Sequence, residues 1–283
     1  MKRSPLPLFA ILLFSGCTVV FVDDTASFDT DTNGKLDSDE DEDKDTGGVS
    51  WVIQPDTLTV GGKHYCVIEA NQSVSCFGNN AFGQSAPSSG AFTQISAGMN
   101  HTCGVDTNGA AICWGSNEYG QTAPPNDNFL LVAAGGKHSC GITTSNTLTC
   151  WGSEDGNVAD GVVEVAHLSV GERQNCVITK DGDWRCWERG SNGVEELVKK
   201  EGDFIKVAAG PDFSCVMDSA GHSYCDGINY SFAETDVLSD IRAGNGFLCV
   251  LDLQGQAYCR EGTAIGMDAP QTTFAAIDVS DYG

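Results

Sequence analysis

The chain has 283 residues, 13 of them cysteine, and a formal net charge of −24. Such acidity disfavours a nucleic-acid surface, which needs clustered Lys and Arg, and serves solubility. Short apolar runs punctuated by Gly and Asn, with 34 Gly against 8 Pro and no long helical periodicity, indicate an all-β chain.

The first residues read as an address. A basic "MKRS", the apolar run "PLPLFAILLF" and "SGC" at residues 15–17 form an export signal too short to span a bilayer as a mature helix. "LFSGC" resembles a bacterial lipoprotein signal, in which Cys17 is lipidated and becomes the new N-terminus. Phe14 stands where that pattern prefers Leu, and Thr18 favours the outer membrane over the inner. An ordinary cleaved signal with a chance cysteine is the alternative. Export matters because disulfides persist outside the cytoplasm. Residues 1–16 are thus expected to be a signal peptide.

Residues 17–50 are expected to form an acidic tether. "DDTASFDTDTNGKLDSDEDEDKDT" has too little apolar content to offset chain entropy and repels itself. Within it, Asp29, Asp31, Asn33, Lys35, Asp37 and Glu40 match the ligand positions of a calcium-binding EF-hand loop, with Gly34 at the sharp turn. Neither flank has the amphipathic helix that such a loop needs. No cofactor is required, and calcium at 29–40 is the one ion for which the sequence offers a site.

From residue 51 to 283 one unit recurs. Cys-x9-Cys occurs six times: Cys66 with Cys76, Cys103 with Cys113, Cys140 with Cys150, Cys176 with Cys186, Cys215 with Cys225, and Cys249 with Cys259. Gly61, Gly98, Gly135, Gly171, Gly210 and Gly244 each lie five residues before a first cysteine. In "CGVDTNGAAIC" the pair is symmetric about Asn108. A loop Thr107–Asn108–Gly109 would close on Asp106 and Ala110 with its third residue left-handed. Gly182, Gly221, Gly255 and Asn146 suit that position; Gln72 does not, so the first hairpin is expected to differ. Counting outward, each cysteine pair falls at a non-hydrogen-bonded site, where Cα atoms approach most closely. Zinc and redox motifs need closer spacing, and the chain has no C-x-x-C. Six hairpin disulfides are therefore expected, each worth about 3 kcal/mol in the chain-entropy model.

A single such unit cannot bury both faces, and radial closure into a propeller solves this. "GMNHTCGVDTNGAAICWGSNEYGQ" resembles the repeat of the regulator of chromosome condensation family in its cysteine-bearing bacterial form. The likeness is strong in the first three units and weaker in the last three, where "GQ" is lost. It implies a β-propeller, usually seven-bladed in that family. Six complete hairpins favour six blades closed by overlap of the termini. A degenerate seventh, from residues near 51–60 and 274–283, is the alternative.

No catalytic pattern stands out. His64, His101 and His138 share one repeat position, occupied elsewhere by Gln174, Phe213 and Phe247, and read as packing and hydrogen-bonding residues. His167 and His222 read as isolated surface residues. No nucleophile turn or phosphate loop appears. The least repeated stretches, 187–204 and 226–240, read as loops that carry function on a rigid scaffold, and Phe82, Tyr119 and Tyr230 as anchors for a partner. The expectation is an exported, monomeric, lipid-anchored module of the outer membrane that binds an unknown protein and catalyses nothing. It touches the membrane only through its lipid. A propeller hydrolase or lyase, with unrepeated acids and His at the channel, and a carbohydrate-binding or structural envelope protein are the alternatives.

Overall fold

Each Cys-x9-Cys unit folds as a hairpin closed by hydrogen bonds at its tip. Asp106 N–H donates to Ala110 C=O (2.9 Å) and Gly109 N–H to Asp106 C=O (3.0 Å), with Gly109 left-handed at φ +87°. The first hairpin does not differ: Gln72 takes φ +65° and its N–H reaches Glu69 C=O at 2.7 Å. The Asn71 carboxamide oxygen accepts from both N–H and Oγ of Ser73 and braces that turn.

All six expected disulfides form. Cys66 is bonded to Cys76, Cys103 to Cys113, Cys140 to Cys150, Cys176 to Cys186, Cys215 to Cys225 and Cys249 to Cys259. Their Cα separations of 4.0–4.1 Å are those of directly opposed residues at a non-hydrogen-bonded site. In each hairpin the two cysteines are register partners, as in Cys66 with Cys76 and Cys215 with Cys225.

The computed structural model describes residues 9–14, 17–23, 57–153, 162–190, 193–227, 237–244, 247–261, 267–268 and 274–279. In chain order the strands are β1 (Phe9–Phe14), β2 (Cys17–Asp23), β3 (Leu58–Val60), β4 (His64–Ile68), β5 (Val74–Gly78), β6 (Phe92–Ala97), β7 (His101–Asp106), β8 (Ala111–Gly115), β9 (Phe129–Ala134), β10 (His138–Thr143), β11 (Leu148–Gly152), β12 (Val165–Val170), β13 (Gln174–Thr179), β14 (Trp184–Gly190), β15 (Gly193–Lys200), β16 (Phe204–Ala209), β17 (Ser214–Asp218), β18 (Ser223–Asp226), β19 (Leu238–Gly244), β20 (Phe247–Asp252), β21 (Ala257–Glu261), β22 (Met267–Asp268) and β23 (Phe274–Val279).

They form a β-propeller. Six sheets, β3-β4-β5, β6-β7-β8, β9-β10-β11, β12-β13-β14-β15, β16-β17-β18 and β19-β20-β21-β22, each hold one disulfide hairpin. The entry strands β3, β6, β9, β12, β16 and β19 touch one another in turn around the channel. A seventh sheet, β1-β2-β23, has no cysteine hairpin, and its β23 lies between β19 and β3. The C-terminal strand therefore does pair with an N-terminal one. Its partner is β2 and not the 51–60 stretch, where Leu58–Val60 is the entry strand of the first blade. Of the expected tether, residues 17–23 lie in this sheet and residues 24–50 fall outside the described residues. In the stretch 187–204, read as loop, β15 adds a fourth strand to its blade.

The core lies between blades. Cys66 of the first hairpin packs with Phe92, Ile95 and Trp114 of the next blade, and Cys103 with Phe129, Val132 and Trp151. Each staple thus belongs to the apolar filling. The first cysteines are fully buried, and of the second ones Cys150, Cys186 and Cys259 are buried as well, while Cys76, Cys113 and Cys225 are half-buried. The repeated glycines serve a close approach: a Cβ on Gly98 would press on Gly135 C=O, and one on Gly61 on Gly98 C=O. Met99 N–H donates to Gly135 C=O at 3.1 Å across the same seam.

Candidate functional site

The ring has two faces. Entry strands end at the Gly–x–x–His connections, 61–64, 98–101 and 135–138, and begin beside the hairpin tips, such as 107–109. We name the first the connection face and the second the turn face.

On the connection face the repeated histidines bridge blades, as expected. His64 Nε2 meets Thr102 Oγ1 (2.7 Å), His101 Nε2 meets Ser139 Oγ (2.8 Å) and His138 Nε2 meets Asn175 Oδ1 (2.8 Å). Burial lowers the His64 pKa to about 4. Burial, then the neighbouring His138 and His64, lowers that of His101 to about 3. Both rings are neutral at pH 7. Gln174, which replaces His in the fourth blade, donates instead to Gly210 C=O and Phe213 C=O.

The "GQ" pair also finds its reason here. Gln84 and Gln121 are buried. The Gln84 C=O accepts from Trp114 Nε1 (2.9 Å) and Thr102 Oγ1 (3.1 Å), while its Oε1 accepts from Phe82 N–H (2.9 Å). Gln121 does the same with Trp151, Ser139 and Tyr119 N–H. These bonds fix the backbone at Phe82 and Tyr119, which are 54% and 42% exposed, with the Lys137 ammonium 4.8 Å from the Tyr119 ring centroid. Tyr230 lies outside the described residues.

On the turn face a feature emerges that the sequence did not announce. Every entry strand from β6 to β19 breaks register once, after its first residue: between Phe92 and Gln94, Phe129 and Leu131, Val165 and His167, Phe204 and Lys206, and Leu238 and Asp240. The extra residue is turned out of the ladder. Thr93, Leu130, Ala166, Ile205 and Ser239 are all exposed. Two are large and apolar, Leu130 at 54% and Ile205 at 51%, and Val163, Val237 and Leu253 are exposed on the same face. Acidic residues stand among them: Asp127, Glu164, Asp203 and Asp252.

The channel holds the third group. Residues from all seven inner strands line a cavity of about 200 Å³. Among them, Ser or Thr stitches blade to blade: Thr59 Oγ1 accepts from Ala97 N–H (2.9 Å), Ser96 Oγ from Ala134 N–H (3.0 Å) and Ser169 Oγ from Ala209 N–H (3.0 Å). In the seventh sheet Asp278 takes this role, accepting from Val60 N–H at 2.6 Å. Charge gathers in the last blades. Asp240 faces Lys206 (2.5 Å) and Arg242 (3.2 Å), and Arg242 Nε faces Asp278 (3.5 Å). His167 is not an isolated surface residue. It lines this channel, and burial, with the Lys206 and Arg242 charges, lowers its pKa to about 3 against the opposing pull of Asp240. His222 does sit at the surface, against Asp218. Unrepeated acids and a histidine thus converge on the channel, as an enzyme would require. Here each carboxylate faces a cation, and His167 Nδ1 takes the Val207 N–H at 3.4 Å, which binds blades together.

Of the other sequence-level candidates, Cys17 begins β2, and Asp29, Asp31, Asn33, Lys35, Asp37 and Glu40 lie outside the described residues.

Residues 92–121 and 130–157 match the model of the regulator of chromosome condensation (RCC1) repeat. No curated relative matches the chain. Among solved structures, the chain is similar to the CRINKLY WD40 ectodomain of the Arabidopsis thaliana receptor kinase ACR4, at TM-score 0.68 and 22% identity, over 80% of this chain and 88% of that one. It is also similar to Prp20p of Saccharomyces cerevisiae, described with its binding to Gsp1p and histones, at TM-score 0.62 and 16% identity over 78% and 76%. Yeast RCC1 (Prp20) bound to Kap60 gives TM-score 0.62 and 15% identity over 77% and 74%. At these identities the likeness establishes the fold, an RCC1-like propeller.

Proposed function

We propose that this protein is an exported, lipid-anchored RCC1-type propeller of the bacterial envelope that binds a partner protein through its turn face and catalyses nothing. Yeast Prp20, a ring of similar fold, binds Gsp1p, histones and Kap60, and six disulfides suit an oxidising compartment outside the cytoplasm. The observation that carries the reading is the set of bulged positions. A bulge costs a ladder hydrogen bond, yet here it puts Leu130 and Ile205 into water on the turn face. Exposed aliphatic side chains grouped on a rigid platform and rimmed by charge are the composition of an interface centre. The surrounding carboxylates select a partner with a basic rim. Phe82 and Tyr119, expected to anchor that partner, stand on the opposite face.

The test is capture from envelope extract on soluble protein lacking residues 1–17. Leu130→Asp with Ile205→Asp is expected to abolish capture of a partner that Phe82→Ala with Tyr119→Ala still holds. The reverse pattern would move the site to the connection face, and binding of an envelope glycan array without any protein would replace the reading with a carbohydrate-binding one. The channel supports a second reading, a small polar ligand held by Arg242 and Asp278, which line the cavity, with Asp240 orienting Arg242. It predicts heat release on titration with polar metabolites that is lost in Asp240→Asn.

A further inference from the structure

The register of the seventh sheet fixes where its strands begin and end. Val19 pairs with Val279 and Asp23 with Phe274, as Thr102 pairs with Ala97 and Asp106 with Phe92 in the second blade. The bond from Val60 N–H to Asp278 repeats the one from Ala97 N–H to Thr59, so β23 runs in the same sense as the other entry strands. Cys17, two residues before Val19, therefore occupies the place that Asn100, two before Thr102, holds in its connection. It lies on the connection face. Asp23 lies on the turn face, and so does Thr57, whose C=O accepts from Ile68 N–H. The described chain thus leaves the ring at Asp23 and re-enters it at Thr57, both on the turn face.

We propose that the propeller lies directly on the bilayer with its connection face toward the lipid, with no spacer between Cys17 and the ring. The proposal rests on lipidation of Cys17. Cleavage before Cys17 removes β1 and leaves the pairing of β2 with β23 intact. The acylated residue is then the first residue of a blade strand, so no chain is left to stand the ring off the membrane. What that face presents suits a headgroup layer: exposed Phe82 and Tyr119, and exposed Lys63 and Lys137. Its charge is mixed, since Glu118, Glu172 and Asp212 are also exposed there and Arg173 is paired with Glu188. The turn face is the more acidic. It carries Asp106, Asp127, Asp181, Asp203 and Asp252, and its Lys180 is paired with Glu164. An anionic membrane repels that face more strongly. Six-residue strands rise about 20 Å, which holds the turn face clear of the headgroups and open to the proposed partner.

The test uses the full-length acylated protein in vesicles of phosphatidylethanolamine and phosphatidylglycerol, with intact mass reporting the acyl groups. A fluorophore on Tyr119→Cys is expected to be quenched by shallow spin-labelled lipid, and one on Asn108→Cys to be unaffected. Hydrogen exchange of the unaltered protein gives a second readout: vesicles should slow the amides of Phe82 and Tyr119 and leave the hairpin tips unchanged. Acylated protein quenched at Asn108, or at neither site, overturns the orientation while the anchor stands. Slowing at Phe82 and Tyr119 that needs an added protein, with vesicles alone having no effect, assigns the face to a protein and overturns it equally. Protein without acyl groups removes the anchor and the proposal together.

Discussion

Asp278 closes the ring, and its replacement should be felt there first. Its Oδ2 accepts the Val60 N–H at 2.6 Å, and its Oδ1 lies 3.5 Å from Arg242 Nε. Val60 is buried, so Asp278→Ala leaves that N–H without this acceptor. A hydrogen bond to a charged group contributes about 1.5–3 kcal/mol. Arg242 keeps Asp240 at 3.2 Å, so little is added on that side, and the expected loss is about 2–3 kcal/mol. Ser should recover most of it, because Ser96 and Ser169 make the same bond at 3.0 Å in other blades. Asp278→Ser is expected to cost only about 1 kcal/mol, the difference between a charged and a neutral acceptor. Urea denaturation reads both through a fall in midpoint at constant slope, and exchange of the Val60 amide reads the bond itself. Equal losses for Ala and Ser, or a loss for Ala within error of zero, would refute the role of this bond in closure.

Three further outcomes are expected. Replacing Cys103 and Cys113 together by Ala should cost about 3 kcal/mol or more, since a loop of about 11 residues is released and a buried packing element shrinks; denaturation with and without reductant measures it. The folded-state pKa values of His64 and His101, about 4 and about 3, lie below the unfolded value of 6.5. Above pH 6.5 both rings are neutral in either state and stability is at its full value; it drains as pH falls through 6.5 toward 4 and then 3. Each contributes a slope of about 1.4 kcal/mol per pH unit in that window; His101→Gln should remove one share of the slope, and an unchanged acid limb would contradict it. Gly98→Ala should destabilise by about 1–3 kcal/mol, because its Cβ meets the Gly135 backbone carbonyl rather than a side chain that can move.

The hairpins were legible because their information is local. Symmetry about Asn108 and six cysteine pairs give turn, register and staple without reference to any other blade. Gln72 shows the limit of residue preference: the bonds to Glu69 C=O and within Asn71–Ser73 hold a left-handed conformation that its side chain does not favour. The glycine period was visible, but its reason, contact with the next blade's carbonyl, lies between units. His167 was misplaced for a related cause, as only ring closure brings it beside Lys206 and Arg242. Leu130 and Ile205 were hidden because a bulge shifts a strand's alternation by one residue, and nothing in "FLLVAAG" or "FIKVAAG" marks where it falls. The closing strand β2 was concealed by its place next to the leader, without a cysteine pair or the repeat glycine. Its one echo is the "VD" of Val22–Asp23, matching Val105–Asp106.

A photo-crosslinking residue placed at Ile205 or at Tyr119, in cells making the full-length protein, decides whether the ring offers its turn face to a partner. A discrete protein adduct is expected from Ile205 and none from Tyr119. A protein adduct from Tyr119 with none from Ile205 would contradict a turn-face interface.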